Sequence, residues 1–133
     1  MRFVKISQTE FSSILRLYES VMSYACHGLF YREGEALADN IAELSGNKEN
    51  LLEYARKVLI ARGWVEDIVF KLDEVRVRGS VEAVQGEESE TCHRLRGIIS
   101  RLYQLHHKKQ LRFVEVECSS RGADECLFKP EVS

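Results

Sequence analysis

At Gly63 the hydrophobic pattern of this chain changes period, from about 3.6 residues to 2, and no other feature limits its fold as much. Before that point the pattern is helical. Ser7 followed by Glu10 reads as a capping box that opens a helix carrying Phe11, Ile14, Leu15, Tyr18, Val21 and Met22 on one side. A second helical pattern holds Phe30, Gly34, Leu37, Ile41 and Leu44, and Ser45-Gly46-Asn47 ends it. The third runs from about Lys48 to Arg62 through Leu51, Leu52, Ala55, Val58 and Leu59, with Gly63 as its stop. Beyond Gly63, Trp64, Ile68, Phe70 and Leu72 share one side of a strand that also carries Glu66. After Asp73-Glu74, the residues Val75, Val77, Val81 and Ala83 alternate with Arg76, Arg78, Ser80 and Glu82, which predicts a hairpin with one buried face.

The acidic run Glu87-Glu88-Ser89-Glu90 leads into a fourth helix with Cys92, Leu95, Ile98, Ile99 and Leu102. Leu111 to Cys118 then reads as a strand, Ser119 to Asp124 as a turn, and Glu125 to Lys129 as the returning strand. Met1 to Ile6 is expected to form a short strand. The plan is α+β, an antiparallel sheet packed against about four helices, and 133 residues suit one domain.

A net charge of −2, from 19 basic and 21 acidic side chains, gives no electrostatic footprint for nucleic acid or an acidic membrane. The basic cluster His106-His107-Lys108-Lys109 reads as a complement to the dipole at the end of the fourth helix. No apolar run approaches the roughly 20 residues that cross a bilayer, and MRFVKISQTE lacks the apolar stretch of a signal peptide. These features place the chain in the cytoplasm, where cysteines are more often metal ligands or core residues than disulfides.

Cys118 and Cys126 flank the turn of the last hairpin, so their sulfurs can converge. A cross-strand disulfide, two buried thiols and half of a metal site are all compatible with that placement. Cys92 opens the fourth helix, where dipole and backbone amides favour a thiolate. A structural zinc wants four ligands. Three cysteines leave one place for Glu115, Glu117, His93, Asp124 or Glu125, and spacing does not choose among them. Strict alternation sets Glu115 and Cys118 on opposite faces, so bringing them together needs a bulge or a strong twist.

The stretch Glu115-Val116-Glu117-Cys118-Ser119-Ser120-Arg121-Gly122-Ala123-Asp124-Glu125-Cys126-Leu127-Phe128 resembles the closing pattern of the 4-vinyl reductase, or hydrocarbon-binding, domain family. That pattern is Glu-x-x-Cys, a turn with Gly, then Cys-x-Phe, preceded by a cysteine at the head of a helix. Cys92 and Gly97 fit it, and Phe30-Tyr31-Arg32-Glu33-Gly34 looks like the family's early glycine-containing helix. The resemblance covers about residues 20–129. It implies a zinc site of Cys92, Glu115, Cys118 and Cys126 and an apolar pocket between helices and sheet. It also implies a fold related to haem-based nitric oxide sensors and vesicle-tethering subunits. Members include sensory domains for aromatic effectors and proteins tied to chlorophyll vinyl reduction. Phenol-sensing members carry a histidine just before an Arg-Gly pair, whereas Arg62-Gly63 here follows Val58-Leu59-Ile60-Ala61, so a less polar ligand is expected.

The expected pocket lining is Phe30, Gly34, Leu37, Val58, Trp64, Ile68, Phe70 and Ile99, with Gly34 leaving the space. Core packing of the same residues would read identically. Cys26-His27 is read as structural, because neighbours on a helix point about 100° apart. There is no Ser-His-Asp arrangement, phosphate loop or dinucleotide fingerprint, and a zinc with four protein ligands has no open position for water. The leading expectation is a binding or sensory module for an apolar small molecule. A reductase-associated protein and a dimeric scaffold are the alternatives. Leu17, Tyr18, Met22, Tyr24 and Phe30 exceed what one stripe needs, which predicts a homodimer through the first two helices.

Overall fold

The computed structural model describes residues 1–46, 50–84, 91–117 and 125–131. Among these residues the elements follow in the order α1 (Gln8–Met22), α2 (Cys26–Ser45), α3 (Leu51–Ala61), β1 (Asp67–Phe70), β2 (Val75–Arg78), α4 (His93–His107), β3 (Phe113–Glu117) and β4 (Cys126–Pro130). A 3-10 turn over Ser23–Ala25 joins α1 to α2. The strands form one antiparallel sheet in the order β1-β2-β4-β3.

Local chemistry explains the helix boundaries. The capping box at Ser7 is complete, with the Ser7 hydroxyl accepting from the Glu10 amide and the Glu10 carboxylate accepting from the Ser7 amide. Asn50 caps α3 through its side chain, taking the amides of Leu52 and Glu53. Gly63, at φ +83°, turns the chain out of α3 toward β1. Arg56 then ties that helix to the sheet, donating to the Asp67 carboxylate and the Ile68 carbonyl.

Helix α4 is buried along most of its length, and Leu95, Ile98, Ile99 and Leu102 share one core with Ile68, Val75, Val77, Phe113 and Phe128. It meets α2 backbone to backbone. A Cβ at Gly34 would stand 2.0 Å from the Arg94 carbonyl oxygen, and one at Gly97 would stand 2.0 Å from that of Tyr31. Small residues at both crossing points allow this approach.

The chain departs from its sequence pattern in three places. Residues 1–6 form no strand and stay exposed. Strand β2 ends at Arg78, because Gly79 at φ +67° turns the chain off the sheet. Ser80 and Glu82, expected on the solvent face, are therefore buried, with Ala83 beside them. Leu72, expected inside, is 84% exposed in the turn that Lys71 and Glu74 close.

Candidate metal centre

Helix α4 begins at His93, with Cys92 as its N-cap residue, and Cys92 does not spend its side chain on capping. The buried carboxylate of Glu82 does that work, taking the amides of Arg94 at 3.2 Å and Leu95 at 2.8 Å. Burial pushes the Glu82 carboxyl up to about 7, against the pull of those amides and of the Arg94 guanidinium. The Cys92 thiol is thereby directed at the sheet, where the Ser80 hydroxyl lies 3.2 Å from it.

On β4, Cys126 pairs with Val77 of β2 and faces inward, 1% exposed. On β3, Glu115 pairs with Phe128, while Glu117 pairs with Leu127, so a bulge falls between the two glutamates. This irregularity is of the kind the Glu115–Cys118 spacing requires. Glu115 is 9% exposed.

These three side chains meet. Ligand atoms of Cys92, Glu115 and Cys126 all lie within 4.8 Å of one another, and the two sulfurs are 3.9 Å apart. Two thiolates on a tetrahedral zinc, each at about 2.3 Å, stand roughly 3.8 Å apart; a disulfide would need about 2.05 Å. The set therefore fits a thiophilic metal ion. Among the other candidates, Glu117 is exposed, and Glu125 forms an ion pair with Arg76 at 2.6 Å. Cys118 and Asp124 lie outside the described residues, as do the turn between them and the acidic run before α4.

Beside this cluster is a cavity of about 250 Å³ lined by His27, Cys92, His93, Arg96, Val114 and Glu115. The rings of His27 and His93 stack at 3.8 Å, and the His27 Nε2 meets the Glu19 carboxylate at 2.6 Å. Cys26 is fully buried and its thiol donates to the Ser23 carbonyl; burial pushes that thiol up.

A larger groove, about 810 Å³, runs between the N-terminal segment and helices α2 and α3. Leu37, Val58 and Trp64 of the expected pocket lie on its wall. The other five do not. Ile68 and Ile99 are sealed in the core, Phe70 packs on Tyr103, and Phe30 belongs to a small separate cluster with Leu15 and Cys26. Gly34 leaves no room for a ligand, because the α4 backbone occupies that space. The wall missing from the expected pocket is residues 3–6, a segment read from the sequence as a short strand and not as pocket lining.

Residues 73–131 match the model of the V4R domain. That segment resembles a V4R domain. It takes in β2, α4, β3 and β4, and with them every member of the metal cluster, as the cysteine pattern led one to expect. The whole chain shares its fold with the phenol-responsive sensory domain of the transcription activator PoxR, determined with phenol. The TM-score is 0.79 at 18% identity, over 98% of this chain and 77% of that one. It also superposes on a vinyl-4-reductase family protein from Methanocaldococcus jannaschii, with TM-score 0.69, 17% identity, and coverage of 99% and 85%. No curated protein matches the sequence. Among the described residues, no helix is long and apolar enough to cross a membrane.

Proposed function

We propose that this chain is a single ligand-binding unit, residues 1–133, that holds a small apolar or aromatic molecule and is stapled by zinc at Cys92, Glu115, Cys118 and Cys126. The observation that carries the ligand reading is the groove. Its volume lies within the roughly 300–1,000 Å³ of small-molecule sites, and Leu37, Val58, Ala61 and Trp64 face the apolar side chains of Phe3, Val4 and Ile6 across it. With few directional donors there, affinity comes from buried area at about 25 cal/mol per Å². Val58, Ala61, Arg62 and Gly63 are themselves groove residues, so the lack of a histidine in this stretch bears on the ligand. A hydroxyl-bearing phenol gains little here, and a plain aromatic hydrocarbon suits better. Zinc follows from the donor set of thiolates and one carboxylate. When bound, it ties the head of α4 to the β3–β4 hairpin, and Ser80 donates to the Cys92 thiolate.

Trp64 is the chain's one tryptophan, so its emission reports on the groove. Titration with naphthalene is expected to shift or quench that emission, with phenol binding at least tenfold more weakly. Val58→Asp should abolish the response and leave the metal in place. Trp64 emission indifferent to naphthalene at its solubility limit would remove the groove from consideration as a binding site.

Leu17, Tyr18, Val21, Tyr24 and Leu29 are exposed on α1, the 3-10 turn and the start of α2. Together they support the homodimer through the N-terminal helices. Phe30 is excluded from that face by its burial, and Met22 packs partly inward.

A further inference from the structure

Arg96 stands one turn into α4 from Cys92, half-buried on the wall of the 250 Å³ cavity. Its guanidinium carbon lies 4.4 Å from the centre of the Tyr31 ring, and that of Arg112 lies 4.9 Å from the same ring. Other arginines packed onto helices or sheet have close carboxylates. Arg94 meets Glu33 at 2.9 Å, Arg101 meets Asp39 at 2.7 Å, Arg56 meets Asp67 at 2.9 Å, and Arg76 meets Glu125 at 2.6 Å. Arg96 differs from all of them. Among the described residues no acceptor lies within hydrogen-bonding distance of its guanidinium, and no carboxylate within ion-pair distance.

A guanidinium carries five donors in a planar fork, and the half-buried Arg96 keeps its own in reach of water, which a bidentate oxyanion could replace. Burial and the neighbouring Arg112 charge both act against the Arg96 cation, while Glu115 and Glu131 favour it from beyond contact distance. Aromatic stacking offsets part of this cost and supplies no acceptor. A ligand oxyanion would supply two.

We infer that the cavity at Arg96 is a site for a small anion, best filled by a carboxylate gripped through two of the guanidinium nitrogens. The stacked imidazoles of His27 and His93 and the side chain of Val114 form the rest of its wall, which suits a flat apolar body behind the carboxylate. A cavity of about 250 Å³ falls below the range of drug-sized sites, so the ligand is no larger than a benzoate. Glu115 and the Cys92 thiolate face the same cavity, and the anion therefore sits at its Arg96 end. None of the groove residues lines this cavity, so the two sites are independent.

The test is calorimetric titration of the purified full chain, as isolated with its metal, using benzoate, its neutral isostere benzamide, acetate and inorganic phosphate. Benzoate is expected to bind, with benzamide at least tenfold weaker, and added chloride should weaken the interaction. Arg96→Gln should cost at least tenfold in benzoate affinity, and Arg96→Lys, which keeps the charge and loses the fork, should fall between. Metal content and the naphthalene response of Trp64 should be unchanged in both variants, which separates failure here from failure of the groove reading. Phosphate binding that vanishes in Arg96→Gln would also support the site and identify its anion as inorganic. Absence of binding by all three anions at tens of millimolar would overturn it, as would anion binding that survives Arg96→Gln in a folded, metal-loaded protein.

Discussion

Gly34 and Gly97 are each pressed against a carbonyl of the opposite helix. A methyl at either position must push α2 from α4, and overpacking of this kind costs about 1–3 kcal/mol, sometimes more. Gly34→Ala and Gly97→Ala should each lower the midpoint of chemical denaturation accordingly; unchanged midpoints would show that the helices can part freely. Glu82 carries a different prediction. Its folded pKa of about 7 exceeds the ordinary value near 4.5. Between those values the folded state holds a proton that the unfolded state has lost, so this group's contribution to stability falls as pH rises from about 4.5 to about 7. The loss is on the order of 3 kcal/mol. Asp67 and Glu10 are shifted downward, so their contributions have the opposite sign and belong to lower pH. The useful quantity is thus the difference between the parent and Glu82→Gln across pH 4.5–7. The parent should lose stability relative to the variant over that interval, and parallel pH profiles would contradict the burial of this carboxylate. Glu82 was not legible in the sequence, because Gly79 at positive φ ends the strand and with it the alternation. Gly34 was legible as a special position, but a pattern cannot distinguish space left for a ligand from space taken by a helix.

At the level of elements, the most informative segment is 80–83. It follows β2 without pairing in the sheet, caps α4 through Glu82, and places Ser80 against the Cys92 sulfur. Partners of metal ligands typically contribute 10–100-fold in metal affinity. Ser80→Ala should weaken zinc retention by about tenfold against a competing chelator, and Ser80→Thr should restore it. Equal retention in all three proteins would leave the hydroxyl without that role. The start of α1 and the ends of α2 and α3 were readable because Ser7, Gly46 and Gly63 act within one turn of sequence, whereas the Asn50 cap of α3 was missed. The same locality made the strand ends poorly readable, since β1 and β2 pair for only four residues each and their limits depend on partners distant in the chain. The β3 bulge falls between. The cysteine spacing demanded an irregularity, and only the pairing with β4 shows where it lies.

For the molecule as a whole, two surfaces are proposed, one between copies and one toward a ligand. Leu17 and Tyr24 are 60% and 71% exposed, so Leu17→Asp together with Tyr24→Asp should leave the fold intact and convert the proposed dimer to monomer. Sedimentation of the parent as a monomer at high micromolar concentration would contradict the dimer outright. The candidate metal centre links these levels, because Cys92, Glu115 and Cys126 come from the head of α4, the bulged β3 and the central β4. Structural zinc sites contribute roughly 10–16 kcal/mol of binding free energy near neutral pH, enough to decide whether the α4–hairpin unit is folded. Native mass spectrometry of freshly purified protein is the most direct measurement. The account predicts one zinc per chain, and its loss in Cys126→Ser together with a marked fall in thermal stability. A metal-free chain carrying a Cys118–Cys126 disulfide would contradict it.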